Sequence, residues 1–118
     1  MPGLIDIMLK KKAREEKLRS SLAAIIYQLK NLGALKIILF GSFSREEIDT
    51  QSDLDLLLIM PSSKSGKEWM ELVYNTVERG IASDILIYNQ KEFKKNLSIN
   101  SFLQNIVSTG KVVYEKTL

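Results

Sequence analysis

Apolar positions along the chain keep a helical period first and a strand period afterwards. Across residues 12–32, Leu18, Leu22, Ile25, Ile26 and Leu29 fall on one face of a helix, and Gly33 follows as a terminator. Residues 35–40 form a short apolar run with Ile37 and Ile38, which reads as a buried strand. The pattern breaks at Gly41. Ser44 with Glu47 has the form of a capping box and predicts a short helix, and residues 48–52 are polar and read as a loop. A second strand spans residues 53–60 and stops at Pro61.

The remaining chain repeats the alternation. Ser65 and Glu68 make another capping box ahead of Trp69, Leu72, Val73 and Val77, which line one helix face that Gly80 is expected to end. Residues 82–88 read as a third strand. Asn89 and Glu92 open a helix through Phe93 and Leu97, and residues 98–100 are expected to break it. Phe102, Leu103, Ile106 and Val107 resume a helical stripe closed by Gly110, and residues 111–115 form a last short strand at an edge. No repeat, low-complexity tract or linker divides the chain. The order predicts an α/β (α+β) layer in one domain over 1–118, an N-terminal helix at about 12–32 and a core at about 35–115.

Composition narrows the chemistry. With 118 residues and 45% apolar content, a core forms without covalent staples. The sequence has no Cys and no His, so disulfides, thiolate sites and imidazole proton shuttles are excluded. Acid–base and metal chemistry falls to carboxylates, which favour hard ions such as magnesium. A net charge of +3 is too mild to argue for nucleic acid, so direct binding to it is not expected. The basic run at Lys10, Lys11, Lys12 and Arg14 is followed by Glu15 and Glu16, and reads as a solvated helix face. These lysines follow the short apolar segment instead of preceding it, the wrong order for a secretory signal, and no apolar run is long enough to span a membrane. A cytoplasmic protein without a membrane partner is the expectation.

The chemistry concentrates in one stretch: Gly41-Ser42, ten residues, then Asp53-Leu54-Asp55. Side chains two apart on a strand share a face, so Asp53 and Asp55 point together while Leu54 and Leu56 point into the core. Two like charges so close, beside Leu56, Leu57, Leu58 and Ile59, call for compensation, and a divalent cation supplies it. Asp84 opens the run Ile85-Leu86-Ile87-Tyr88 and joins them if its strand is a neighbour. Three carboxylates around a pair of ions suit in-line displacement at phosphorus. Glycine at 41 lets a phosphate approach the backbone, and Ser42 with the N–H groups of a helix start can hold its oxygens. With no His available, Asp84 is the candidate base for an attacking hydroxyl.

Each piece also has a plain reading: Gly-Ser as a turn, Asp-x-Asp as a loop pair, Asp84 as a strand end. Their combination is what carries the inference. Arg45 reads either as a phosphate contact or as an exposed helix residue. Lys64 and Lys67 read as triphosphate contacts or as solvated loop lysines, and Trp69 as core or interface. Ser65-Gly66-Lys67 lacks the upstream glycine of a P-loop.

On these residues the chain resembles the DNA polymerase β-like nucleotidyltransferases, and more narrowly the minimal nucleotidyltransferase (MNT) proteins. The resemblance rests on Leu39-Phe40-Gly41-Ser42, the spacer with Arg45, Ser52-Asp53-Leu54-Asp55-Leu56-Leu57, Ser83-Asp84-Ile85-Leu86-Ile87 and a closing stretch around Thr109-Gly110-Lys111. It implies the nucleotidyltransferase fold, a small mixed sheet flanked by helices. It implies transfer of a nucleoside monophosphate, AMP from ATP or another NTP, to a hydroxyl. Gly41, Ser42 and Arg45 would bind the nucleotide, and Asp53, Asp55 and Asp84 the magnesium ions. It further implies a helical HEPN toxin as partner, silenced by AMPylation, with a non-catalytic antitoxin or a nucleotide sensor as the alternative. Glu46 departs from the glycine that often follows the arginine in the family.

Overall fold

The computed structural model describes residues 3–41 and 54–117. The expected short helix at Ser44–Glu47 and the loop at 48–52 lie outside the described residues. Within them the order is α1 (Leu4–Leu32), β1 (Lys36–Phe40), β2 (Leu54–Met60), α2 (Gly66–Thr76), β3 (Ser83–Asn89), α3 (Gln90–Leu97), α4 (Ser101–Thr109) and β4 (Lys111–Glu115). No helix among the described residues is long and apolar enough to cross a membrane.

The strands form one mixed sheet in the order β3-β2-β1-β4. β1 is antiparallel to β2 and to β4, while β2 and β3 are parallel and joined through α2, the crossover that parallel neighbours require. As expected, β4 is an edge strand; its ladder with β1 carries an irregularity between Ile37 and Ile38.

Both faces of β2 are covered, which explains its nearly unbroken apolar sequence. Leu54, Leu56, Leu58 and Met60 enter a cluster with Leu18, Ile25 and Leu29 of α1 and Trp69 and Val73 of α2. Leu57 points the other way, into a smaller cluster with Ile38 of β1 and Leu103 and Ile106 of α4, against which Phe40, Leu86, Tyr88, Phe93 and Leu97 pack. The result is a helix–sheet–helix sandwich. Gly110 lets α4 turn into β4 close to β1: a Cβ there would stand 2.6 Å from both the Ile106 carbonyl oxygen and Ile38 Cγ2.

Local signals placed most helix ends. Gly33, at φ 109°, closes α1 with its N–H on the Leu29 and Lys30 carbonyls. Ser65 and Glu68 form a complete capping box on α2, and Asn89 and Glu92 form another on α3. The backbone and side-chain hydrogen bonds from Ser65 hold the Glu68 carboxyl below its ordinary pKa. Glu92 Oε1 also accepts from the Gly66 N–H at 2.9 Å, so one carboxylate serves the starts of two helices.

Two expectations are corrected. The first helix begins at Leu4, not near residue 12. Nothing in residues 4–11 breaks a helix, and Asp6 lies in the first turn, where it complements the helix dipole. Gly80 does not end α2, which stops at Thr76 with Val77 extended at φ −86°. The next peptide is then captured by α1. Gln28 Nε2 donates to the Glu78 carbonyl at 2.7 Å, and Gln28 Oε1 accepts from the Glu78 N–H at 2.8 Å. Trp69 is core, 5% exposed, with its indole N–H on the Pro61 carbonyl at 2.9 Å.

Candidate active site

The site is built at one end of the sheet, where β1 finishes and β2 and β3 begin. In the ladder, Phe40 of β1 stands opposite Asp55 of β2, and Asp55 stands in register with Asp84 of β3. Alternation fixes the face. Asp55 is two residues before Leu57, and Asp84 two before Leu86, and both leucines point to the α3/α4 side. The two carboxylates therefore lie side by side on that face, on strands about 4.8 Å apart. Asp55 is half-buried and Asp84 exposed, an inner and an outer member of one acidic edge.

Gly41 completes what is described of this edge. It has φ 80°, in the left-handed region that glycine reaches without strain. A Cβ added there would collide with the Asp55 carboxylate and stand 3.3 Å from its Cγ. Gly41, directly after β1, thus lies against the Asp55 carboxylate, so the glycine of the candidate phosphate turn and one of the candidate metal ligands meet.

Of the residues singled out from sequence, Gly41, Asp55 and Asp84 are brought together. Ser42, Arg45 and Asp53 lie outside the described residues, as does Glu46. Among the described residues no group of three or more His, Cys, Asp or Glu side chains converges. Asp55 and Asp84 are nevertheless suited to a hard divalent cation: paired oxygen donors on adjoining strands, whose mutual repulsion a shared cation relieves. Lys64 lies over the Trp69 ring, its Nζ 5.8 Å from the centroid, so its described contact is with the α2 core residue.

The sequence reading missed the apolar wall of the site. Phe102, placed by its period in a helical stripe, is 57% exposed and meets Phe40 edge to face, with centroids 6.2 Å apart at 85°. Since Phe40 is the cross-strand neighbour of Asp55, this aromatic pair borders the acidic edge. A helical period assigns Phe102 to a stripe; only the placement of α4 over the sheet reveals its exposure.

Comparison with known proteins decides the class. The family described as polymerase beta, nucleotidyltransferase, matches residues 22–117. The chain belongs to that family. It is similar to a Methanocaldococcus jannaschii protein provisionally named a protein adenylyltransferase, MJ0141, at 29% identity over 75 residues, covering 64% of this chain and 74% of that one. Its fold is similar to the crystal structure of a Sulfolobus solfataricus protein provisionally described as a nucleotidyltransferase. That likeness has a TM-score of 0.58 at 15% identity and covers 86% of this chain and 84% of the other. The sandwich of helices around a mixed sheet, four of each element among the described residues, is thus the α/β fold of a minimal nucleotidyltransferase. Membership implies a nucleoside triphosphate substrate and, as usual in the family, a divalent metal.

Proposed function

We propose that this nucleotidyltransferase moves AMP from ATP to a hydroxyl on a partner protein, with magnesium held by Asp53, Asp55 and Asp84. The single observation that carries the reading is the register of Asp55 with Asp84 beneath the Gly41 turn. A protein acceptor is supported by the name of the Methanocaldococcus jannaschii relative. A helical HEPN-type toxin is the partner we propose, from the resemblance to the MNT group.

Each residue has a role in this reading. The turn at Gly41 and Ser42 offers backbone N–H groups and a hydroxyl to the phosphates, with Arg45 as a further phosphate contact. Bound magnesium would neutralise charge developing on the phosphate oxygens. Asp84, the exposed member of the pair, takes the proton of the attacking hydroxyl. The hydroxyl oxygen forms the new bond to the α-phosphorus as the bond to pyrophosphate breaks. The Phe40–Phe102 pair keeps one side of the carboxylates apolar, which strengthens their hold on a cation.

The test is label transfer. The purified chain, its genomic neighbour, magnesium and α-labelled ATP should yield a labelled neighbour and free pyrophosphate. Absence of transfer with each of the four nucleoside triphosphates would sink the enzymatic reading. Protection of cells from the partner by an Asp53→Asn, Asp55→Asn double variant would instead favour an antitoxin that acts by contact.

A further inference from the structure

Among the described strands β3 is the outer one on the Asp84 side, and side chains engage its outward edge where Asp84 stands. The Tyr74 hydroxyl, from α2, accepts from the Ile85 N–H at 3.0 Å and faces the Ile85 carbonyl as a donor at 3.4 Å. Arg79 Nη1 donates to the Ser83 carbonyl at 3.1 Å, and its guanidinium lies over the Tyr74 ring, 4.4 Å from the centroid. Backbone groups of successive strand residues point to opposite edges. Those of Ser83 and Ile85 therefore face outward, and those of Asp84 turn toward β2. Asp84 sits between two peptide units fastened from outside, on a strand fastened from inside by its ladder to β2. The loop carrying Arg79 is itself anchored, through the paired bonds between Gln28 and the Glu78 backbone.

We propose that Tyr74 and Arg79 are positioning residues for Asp84, engaging the outer edge of β3 as a neighbouring strand would, so that an exposed edge carboxylate keeps its register with Asp55. The inference rests on the reading of Asp55 and Asp84 as the cation-binding pair. Strand ends at a sheet edge open at low free energy. Two carboxylates that share a cation must stay within about 0.5 Å of their productive placement. Ordinary edge protection needs only a bulge, a charge or a short strand. Here the Ser83 carbonyl and both backbone groups of Ile85, on either side of Asp84, are engaged from outside; at the far end of β3 the Asn89 N–H is held by Glu92 as part of the α3 cap. Tyr74 and Arg79 stiffen each other by stacking.

The test uses the full chain with manganese(II) as the probe, in the presence of a non-hydrolysable ATP analogue, and follows free ion by electron paramagnetic resonance. Amide exchange at residues 83–87 is read on the metal-free protein. Tyr74→Phe removes only the hydroxyl, Arg79→Met only the guanidinium, and Trp69→Phe loosens α2 at its far end as a stability control. Both edge variants should weaken manganese binding roughly 10-fold or more, as loss of an outer supporting contact does. Tyr74→Phe should speed exchange of the Ile85 amide roughly 10-fold. Trp69→Phe should lower Tm without either effect. Manganese affinity that survives in both edge variants but falls in Asp84→Asn overturns the positioning role. So does a loss in the edge variants that merely follows Tm, as Trp69→Phe would then show too. Unchanged affinity in both Asp55→Asn and Asp84→Asn overturns the reading of the cation site, and the positioning role with it. Should Tyr74→Phe fail to fold, Arg79→Met carries the same comparison.

Discussion

Asp55 and Asp84 stand opposite each other on the parallel strands β2 and β3, with the turn at Gly41 lying against the Asp55 carboxylate. Like charges placed directly across a sheet oppose folding, so the arrangement has a stability cost that its chemistry must justify. Asp84→Asn should therefore leave stability unchanged or raise it by about 0.5 kcal/mol. The same change should reduce nucleotidyl transfer by about 10²-fold or more, the loss expected when a positioned base is removed. Urea unfolding beside label transfer checks both halves; a variant that unfolds more easily and still transfers would refute the assignment.

Gly41→Ala tests the turn. The positive φ disfavours any side chain by about 1–2 kcal/mol. The new Cβ would also press on the Asp55 carboxylate. We expect a lower urea midpoint and weaker manganese binding together. Ala at Gly3, which has open space around it, should change neither.

Glu92 ties two helix starts with one carboxylate oxygen, accepting from Gly66 N–H and Asn89 N–H at 2.9 Å each. Glu92→Ala leaves both donors without that charged acceptor and should cost about 1.5–3 kcal/mol. Ser65→Ala removes a single cap on α2 and should cost about 1 kcal/mol. Equilibrium urea unfolding ranks the two, and an equal or reversed order would contradict the shared-anchor geometry.

Acid should loosen α2 through Glu68. Its carboxyl is held below the ordinary value in the folded chain by the Ser65 hydrogen bonds and returns to that value on unfolding. Its contribution is therefore complete above the unfolded pKa and is lost as pH falls through the lower, folded one. Glu68→Gln keeps the capping-box form without the charge. Stability measured down an acid series should fall less steeply in Glu68→Gln than in the unaltered chain, and parallel curves would show that the Glu68 charge does no such work.

What the sequence determined by itself was local. Ser65 with Glu68 and Asn89 with Glu92 announce helix starts because a capping box closes within one turn of chain. The apolar runs of β1, β2 and β3 announce buried strands because both faces of the sheet are covered. Gly41, Asp55 and Asp84 stood out as candidates because two carboxylates at the start of buried strands are costly where they stand, and the fold brings the three together. The exit of α2 at Val77 was not legible, since it is set by Gln28, distant in sequence, bonding the Glu78 backbone. Only the tertiary structure decided that β3 lies beside β2, in the register that sets Asp84 against Asp55. It alone brought Tyr74 and Arg79 to the edge around Asp84 and left Phe102 exposed beside Phe40. Pairing between distant segments is chosen by burial on both faces of a sheet and by hydrogen bonds across its edges, and no period along the chain records either.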